Sequence, residues 1–322
     1  MQTWNTGQLM ADSCGYIALS HGANPRIIVA FRGTYSISNT IVDLATVPQE
    51  YAPFPGDVDD SDAPKCSNCT VHSGFAKSWN ATSTTIVPHV TAAMAEHPDY
   101  QLTLVGHSLG GAVAAMAGLD FIARGWDPIV TTFGEPRIGN VALMHYIDSR
   151  FDLINNVSTL DAGEGAIQEQ SDVDLRYRRV THVDDPVPLL PLSEWGYRMH
   201  AGEIYISKPS LSPDLTDLHH CAGDEDATCI AGQDPSLSAS ADSALTRRSA
   251  GSHEDEDTIL LTLKEAVQEA EHADRAGFGL AVPARYKLWQ LFFAHRDYFW
   301  RLGLCVPGGD PWDWSREKYN VI

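Results

Sequence analysis

Positive charge is what this chain has least of. Lys and Arg together number 22 against 42 Asp and Glu, which leaves a formal net charge of −20 over 322 residues. Such a surface repels polyanions and offers no basic stripe for phosphate contacts, so nucleic acid is excluded as a partner. The same sign disfavours strongly anionic membranes while leaving neutral oil and zwitterionic surfaces accessible. No apolar run reaches the roughly 18 to 20 residues that a bilayer crossing needs, so no transmembrane segment is predicted and membrane contact is expected to be peripheral. The N-terminus has no charged region followed by an apolar one, so a secretion signal has either been removed or was never present. Internal repeats are absent too. Hydrophobic residues at 43% and aromatics at 9% exclude a disordered or fibrous chain and suffice for one large core, so a single domain over 1–322 is expected.

Cysteine is scarce, with six in all. Cys66-Ser67-Asn68-Cys69 has no second pair at zinc spacing and no Gly-Pro between its thiols, so it reads as a local disulfide rather than a metal or redox site. Cys221 and Cys229 flank a polar, acidic loop that a bridge would staple. Cys14 and Cys305 remain as the third pair by elimination. Disulfides and the glycosylation sequons at Asn80 and Asn156 together point to a secreted, extracellular protein. Asp57, Asp59 and Ser61 mimic the start of a calcium loop, but Asp62 stands where glycine is needed and Asn68 where glutamate is, so no metal is predicted.

The most informative segment is Gly106-His107-Ser108-Leu109-Gly110-Gly111. An apolar run, Gln101 to Val105, precedes it and a small-residue stretch, Ala112 to Phe121, follows. A serine hydroxyl is a weak nucleophile, so a hydrolase must expose its oxygen, set a histidine beside it and aim backbone donors at the developing oxyanion. A sharp strand-to-helix turn meets the first and last needs: Gly106 and Gly110 permit close chain approach, and the Leu109 amide points where the oxyanion forms.

Around this turn the chain alternates strand and helix. Gly15–Leu19 and Ile27–Phe31 read as buried strands joined by a turn, Gly74–Glu96 as helical, Ile129–Phe133 as a strand, and Arg178–Val183 as a later strand ending in Asp184-Asp185-Pro186. The alternation predicts an α/β sheet. Residues 207 to 258 read as loop, with Pro, Ser, Gly and acidic clusters. Ile259, Leu263, Ala266 and Ala270 then share one face of a predicted surface helix.

Phe31-Arg32-Gly33-Thr34, Val71-His72-Ser73-Gly74-Phe75, Gly106 to Gly111, Gly134-Glu135-Pro136-Arg137-Ile138-Gly139-Asn140 and Asp185-Pro186-Val187-Pro188 occur in an order and spacing that resemble the class 3 fungal lipases. The resemblance covers roughly Cys14 to Tyr205 and a short piece around His295. It implies an α/β-hydrolase fold with a mostly parallel sheet flanked by helices, a mobile helical lid, and neither metal nor organic cofactor. The implied activity is extracellular triacylglycerol hydrolysis by a monomer working on lipid at an oil–water interface.

Carried over by position, the resemblance makes Ser108 the nucleophile, Asp185 the acid and His295 the base. The residues alone order such a triad Ser, Asp, His, which leaves His200, His219, His220, His253, His272 and His295 as bases and Asp184 beside Asp185 as acid. The resemblance also implies that Thr34 completes the oxyanion hole with Leu109, and that Arg32 buttresses its loop. Ile37, Ile41 and Leu44 fall at i, i+4 and i+7, the apolar face of either a lid over about 36–47 or a fixed surface helix; the resemblance favours the lid. Val187, Leu190, Leu291 and Phe292 are candidates for the acyl groove, with His107 as a substrate-binding residue beside the nucleophile.

Two departures from the family pattern stand out. Only thirteen residues precede Cys14 where relatives have a helix and a strand, so truncation is expected, and the lost segment would carry a cysteine partner for Cys305. An acidic insertion, about 230–285, separates Cys229 from His295 and contains Arg247-Arg248. Other readings are a feruloyl or short-chain carboxylesterase, a phospholipase A1, or a catalytically inactive homologue that binds lipid.

Overall fold

The computed structural model describes residues 1–5, 14–33, 48–53, 65–153, 175–234 and 294–302. Eight strands form the main sheet: β1 (Gln2–Asn5), β2 (Cys14–Ser20), β3 (Arg26–Phe31), β6 (Gln101–His107), β7 (Ile129–Phe133), β9 (Tyr177–His182), β11 (Glu203–Ile206) and β12 (Leu218–His220), in the spatial order β1-β2-β3-β6-β7-β9-β11-β12. The five from β3 to β11 run parallel, while β1, β2 and β12 pair antiparallel at the edges. The expected strands and their α/β alternation are present. A second, four-stranded sheet is built from β4 (Pro48–Glu50), β5 (Thr70–His72), β8 (Gly139–Asn140) and β10 (Tyr197–Arg198), in the order β10-β8-β5-β4.

Helix α1 (Ser73–Glu96) spans the helical region expected over 74–96. Its buried residues Phe75, Trp79, Thr82, Ile86 and Val90 recur every three or four positions, so one stripe faces the core while Lys77, Asn80 and Thr91 face out. Asn80 of the first sequon is therefore on the exposed side. Helix α2 (Leu109–Ala123) is buried on every side from Gly110 to Phe121, in keeping with a sequence that is apolar and mostly small but for Asp120, which pairs with Arg124 at 2.8 Å. The absence of bulk is what lets it lie against the sheet: a Cβ on Gly106 would collide with the Gly110 carbonyl, and one on Gly110 with the Phe31 carbonyl. Helix α3 (Val141–Phe151) is capped by Asn140, whose side chain accepts from the Leu143 amide at 3.1 Å. Trp79, Phe31, Leu104, Phe121, Phe151 and Tyr177 knit sheet and helices into one core cluster.

Two bridges close local loops, Cys66–Cys69 with Cα atoms 5.5 Å apart and Cys221–Cys229 at 6.2 Å. Cys305, Asn156, the region 36–47 and the insertion beyond 234 lie outside the described residues. β12 corrects the reading of 207 onward as loop, for it is held in the sheet by pairing with β11. No described helix is long and apolar enough to cross a membrane.

Candidate active site

β6 ends at His107, α2 begins at Leu109, and Ser108 forms the whole connection. Its backbone sits at φ 57°, ψ −130°, a conformation an L-residue adopts at a cost of about 1–3 kcal/mol. The surroundings hold it there. The Ser108 amide donates to the Phe133 carbonyl at 2.9 Å, and its own carbonyl accepts from the Gly111 amide at 2.8 Å. The first amides of α2 have no partner within the helix and carry its positive dipole end, so the Leu109 N–H is placed to meet a developing oxyanion beside Ser108.

Asp185 follows the end of β9 through Asp184, which takes the left-handed region at φ 66°. The turn separates the two acids. The Asp184 amide donates to the Gln233 side-chain oxygen at 3.1 Å, whereas Asp185 is fully buried. The Asp185 carboxylate accepts from His295 Nδ1 at 2.9 and 3.1 Å, from the Val187 amide at 2.9 Å and from the Tyr298 hydroxyl at 2.5 Å. Burial works to raise its pKa, but the charge and hydrogen bond of His295, the Tyr298 hydroxyl and the Val187 amide together hold it below the ordinary carboxylate value.

His295 is 1% exposed, and its Nε2 has no hydrogen-bond partner among the described residues. The ring packs on His107, centroids 4.5 Å apart, so the imidazole stands against the residue that leads into Ser108. Gly134 makes room for it: a Cβ there would lie 2.8 Å from His295 Cε1 and 2.6 Å from the Tyr298 hydroxyl. An imidazole oriented through Nδ1 by a buried carboxylate, with Nε2 bare, is equipped to take a proton from a hydroxyl and return it.

The other histidines have different work. His200 lies buried against Glu135, Nε2 to Oε1 3.2 Å, and Tyr177 donates to the same carboxylate at 2.6 Å. His219 meets the Ser207 hydroxyl at 3.0 Å on the surface, and His220 is exposed. His253 and His272 are outside the described residues, as are Thr34, Ile37, Ile41, Leu44, Leu291 and Phe292. Arg32 donates from Nε to the Gly33 carbonyl at 3.2 Å. Val187 and Leu190, named for the acyl groove, are buried in the principal core cluster, 0% and 4% exposed. They are drawn in because the Leu190 carbonyl accepts from the Arg137 amide at 2.7 Å, while the Arg137 side chain holds the carbonyls of Leu189 and Pro191 and the carboxylate of Asp234. The sequence marks Tyr298 only by its position three residues beyond His295. No group of three metal-ligating side chains occurs among the described residues.

A family model described as lipase (class 3) matches residues 28–195. The chain is also 48% identical to the secreted mono- and diacylglycerol lipase 2 of Gibberella zeae, across the whole of this chain and 76% of that one. It belongs to the class 3 lipases. Lipase A of Sodiomyces alcalophilus is 47% identical over 98% of this lipase and 75% of its own length. Among solved structures, the Lip2 lipase of Yarrowia lipolytica superposes with a TM-score of 0.61 at 31% identity, covering 74% of each chain. The fold of this lipase is accordingly the α/β-hydrolase type, and its chemistry is carboxylic ester hydrolysis.

Proposed function

We propose that this lipase is a secreted hydrolase of mono- and diacylglycerols that works through an acyl-enzyme on Ser108. The observation that carries the mechanism is the buried Asp185–His295 pair with Nε2 left bare beside the strand-to-helix turn. Ser108 Oγ attacks the ester carbonyl carbon and its proton passes to His295 Nε2. Asp185, kept ionised, holds the tautomer and balances the imidazolium. The Leu109 amide, with Thr34, receives the negative charge that develops on the carbonyl oxygen. Collapse breaks the ester bond, and the glycerol-bearing alkoxide leaves with the proton from His295. Water, deprotonated by the same nitrogen, then attacks the acyl-enzyme and frees the fatty acid.

The choice of partial glycerides over the triacylglycerol expected from sequence is supported by the name of the Gibberella relative. A net charge of −20 further favours these uncharged lipids over anionic phospholipids. The test is fatty-acid release from emulsified mono-, di- and triolein and from p-nitrophenyl butyrate, by the parent and by Ser108→Ala. Faster turnover of mono- and diolein than of triolein, with activity in the variant reduced by about 10⁶-fold, is expected. Equal or faster triolein cleavage would overturn the substrate choice, and activity on butyrate alone would make the protein a short-chain esterase.

A further inference from the structure

His107 touches three parts of the site at once. Its Nε2 lies 2.7 Å from the main-chain carbonyl of His295, and its ring packs on the His295 ring at 4.5 Å and 34°. The opposite edge of the imidazole faces the end of β3, where a Cβ on Gly33 would come within 3.4 Å of His107 Nδ1 and 3.1 Å of Ser108 Cβ. Its own backbone leads directly into the strained turn at Ser108. A carbonyl oxygen only accepts, so the ring must carry its proton on Nε2.

We propose that His107 is a positioning residue for the proton transfer between Ser108 and His295: its Nε2–H anchors the His295 main chain, and its ring braces one face of that imidazole. The proposal rests on the triad reading above and adds a residue that touches neither substrate nor the transferred proton. It differs from the substrate-binding role expected for His107 from sequence. The ring is suited to this work because it stays uncharged. Burial, then the neighbouring His295, drives its pKa down to about 3, against the opposing pull of the hydrogen bond to His295 and the charge of Asp185; Arg296 depresses it further. A neutral ring gives His295 a contact that does not oppose the positive charge formed there during acylation.

Two variants separate the anchor from mere bulk. His107→Phe keeps a ring and loses the donor, whereas His107→Gln loses the ring and keeps an N–H at nearly the same reach. Steady-state hydrolysis of p-nitrophenyl butyrate, thermal midpoints and the rate of Ser108 labelling by diethyl p-nitrophenyl phosphate are measured for each. For His107→Phe, kcat and labelling rate are expected to fall together by about 10²-fold, the scale of a displacement near 1 Å, with KM within about twofold of the parent. His107→Gln should recover most of that loss. Parental kcat in the Phe variant, or equal impairment of two folded variants, would overturn the proposal. Nitrogen-15 histidine NMR of the unmodified protein decides the matter even where a variant does not fold: His107 should appear as the neutral Nε2–H tautomer from pH 5 to 8, and an Nδ1–H tautomer or a titration in that range would overturn it. Failure of Ser108 to label in the parent would instead remove the triad reading itself.

Discussion

The hydroxyl of Tyr298 donates to Oδ2 of Asp185 at 2.5 Å, the same oxygen that His295 Nδ1 meets at 2.9 Å, so the buried carboxylate is shared by the histidine and a residue three positions beyond it. Burial and the adjacent Asp185 charge keep the phenol protonated by raising its pKa well above the ordinary range. It is a permanent donor across the working pH of any esterase.

Removing it with Tyr298→Phe is expected to lower kcat by about 10-fold or more, because a hydrogen bond to a charged group contributes about 1.5–3 kcal/mol. The variant should lose activity at a higher pH on the acid side than the parent, since Asp185 loses one of the groups that stabilise its ionised form. A pH–rate profile of kcat on a soluble ester checks both. An unchanged acid limb would show that Tyr298 only fills space.

Gly134→Ala tests how closely the site is packed. The added methyl would lie 2.6 Å from the Tyr298 hydroxyl and 2.9 Å from His295 Nδ1, at a backbone φ of +57° that L-residues rarely adopt. Expected are a lower thermal midpoint and a kcat reduced by about 10²-fold with little change in KM, because His295 must move by about 1 Å. Turnover and differential scanning fluorimetry on the same preparation would reveal either outcome.

Asp185 ties stability to acid pH. Its folded pKa lies below the ordinary 3.8, so the protein gains stability from its ionisation at pH values above the ordinary value and loses that contribution as pH falls through the folded pKa. In Asp185→Asn, the difference in midpoint from the parent should be largest at neutral pH and shrink below about pH 4. Thermal unfolding between pH 2 and 7 measures it.

Asp148 predicts the opposite sign. Burial raises its pKa, outweighing the lowering effects of His200 and of the Ala201 amide, which donates to it at 2.9 Å. Folding therefore favours its protonated form, and stability is lost as pH rises from the ordinary value through the raised one. Asp148→Asn retains an acceptor for Ala201 without a charge to bury, and should raise the midpoint at pH 7 while leaving it unchanged near pH 3. A drop at pH 7 would refute the sign.

The parts legible in the sequence are those with local causes. Strand β6, Ser108 and α2 lie within 23 consecutive residues, and each carries its own signal: an apolar run, paired glycines, a stretch of small residues. The turn before Asp185 announced itself as a strand ending in acids. What stayed hidden depends on distant partners. β8 and β10 have two residues each and exist only because they pair with one another and, through β8, with β5. Tyr298 and Asp185 are 113 positions apart, and Glu135 and His200 are 65 apart. No periodicity links them, because what brings them together is the order of strands in the sheet. Composition does not separate groove from core at Val187 and Leu190, since an apolar side chain beside a strand-end acid suits both.

Arg137 gathers the carbonyls of Leu189 and Pro191 and the carboxylate of Asp234, all in the interior. Breaking a buried ion pair by removing one member typically costs about 3–5 kcal/mol. The stretch Leu189–Pro191 therefore takes its placement from a guanidinium more than fifty residues before it, itself neutralised by a carboxylate more than forty residues after.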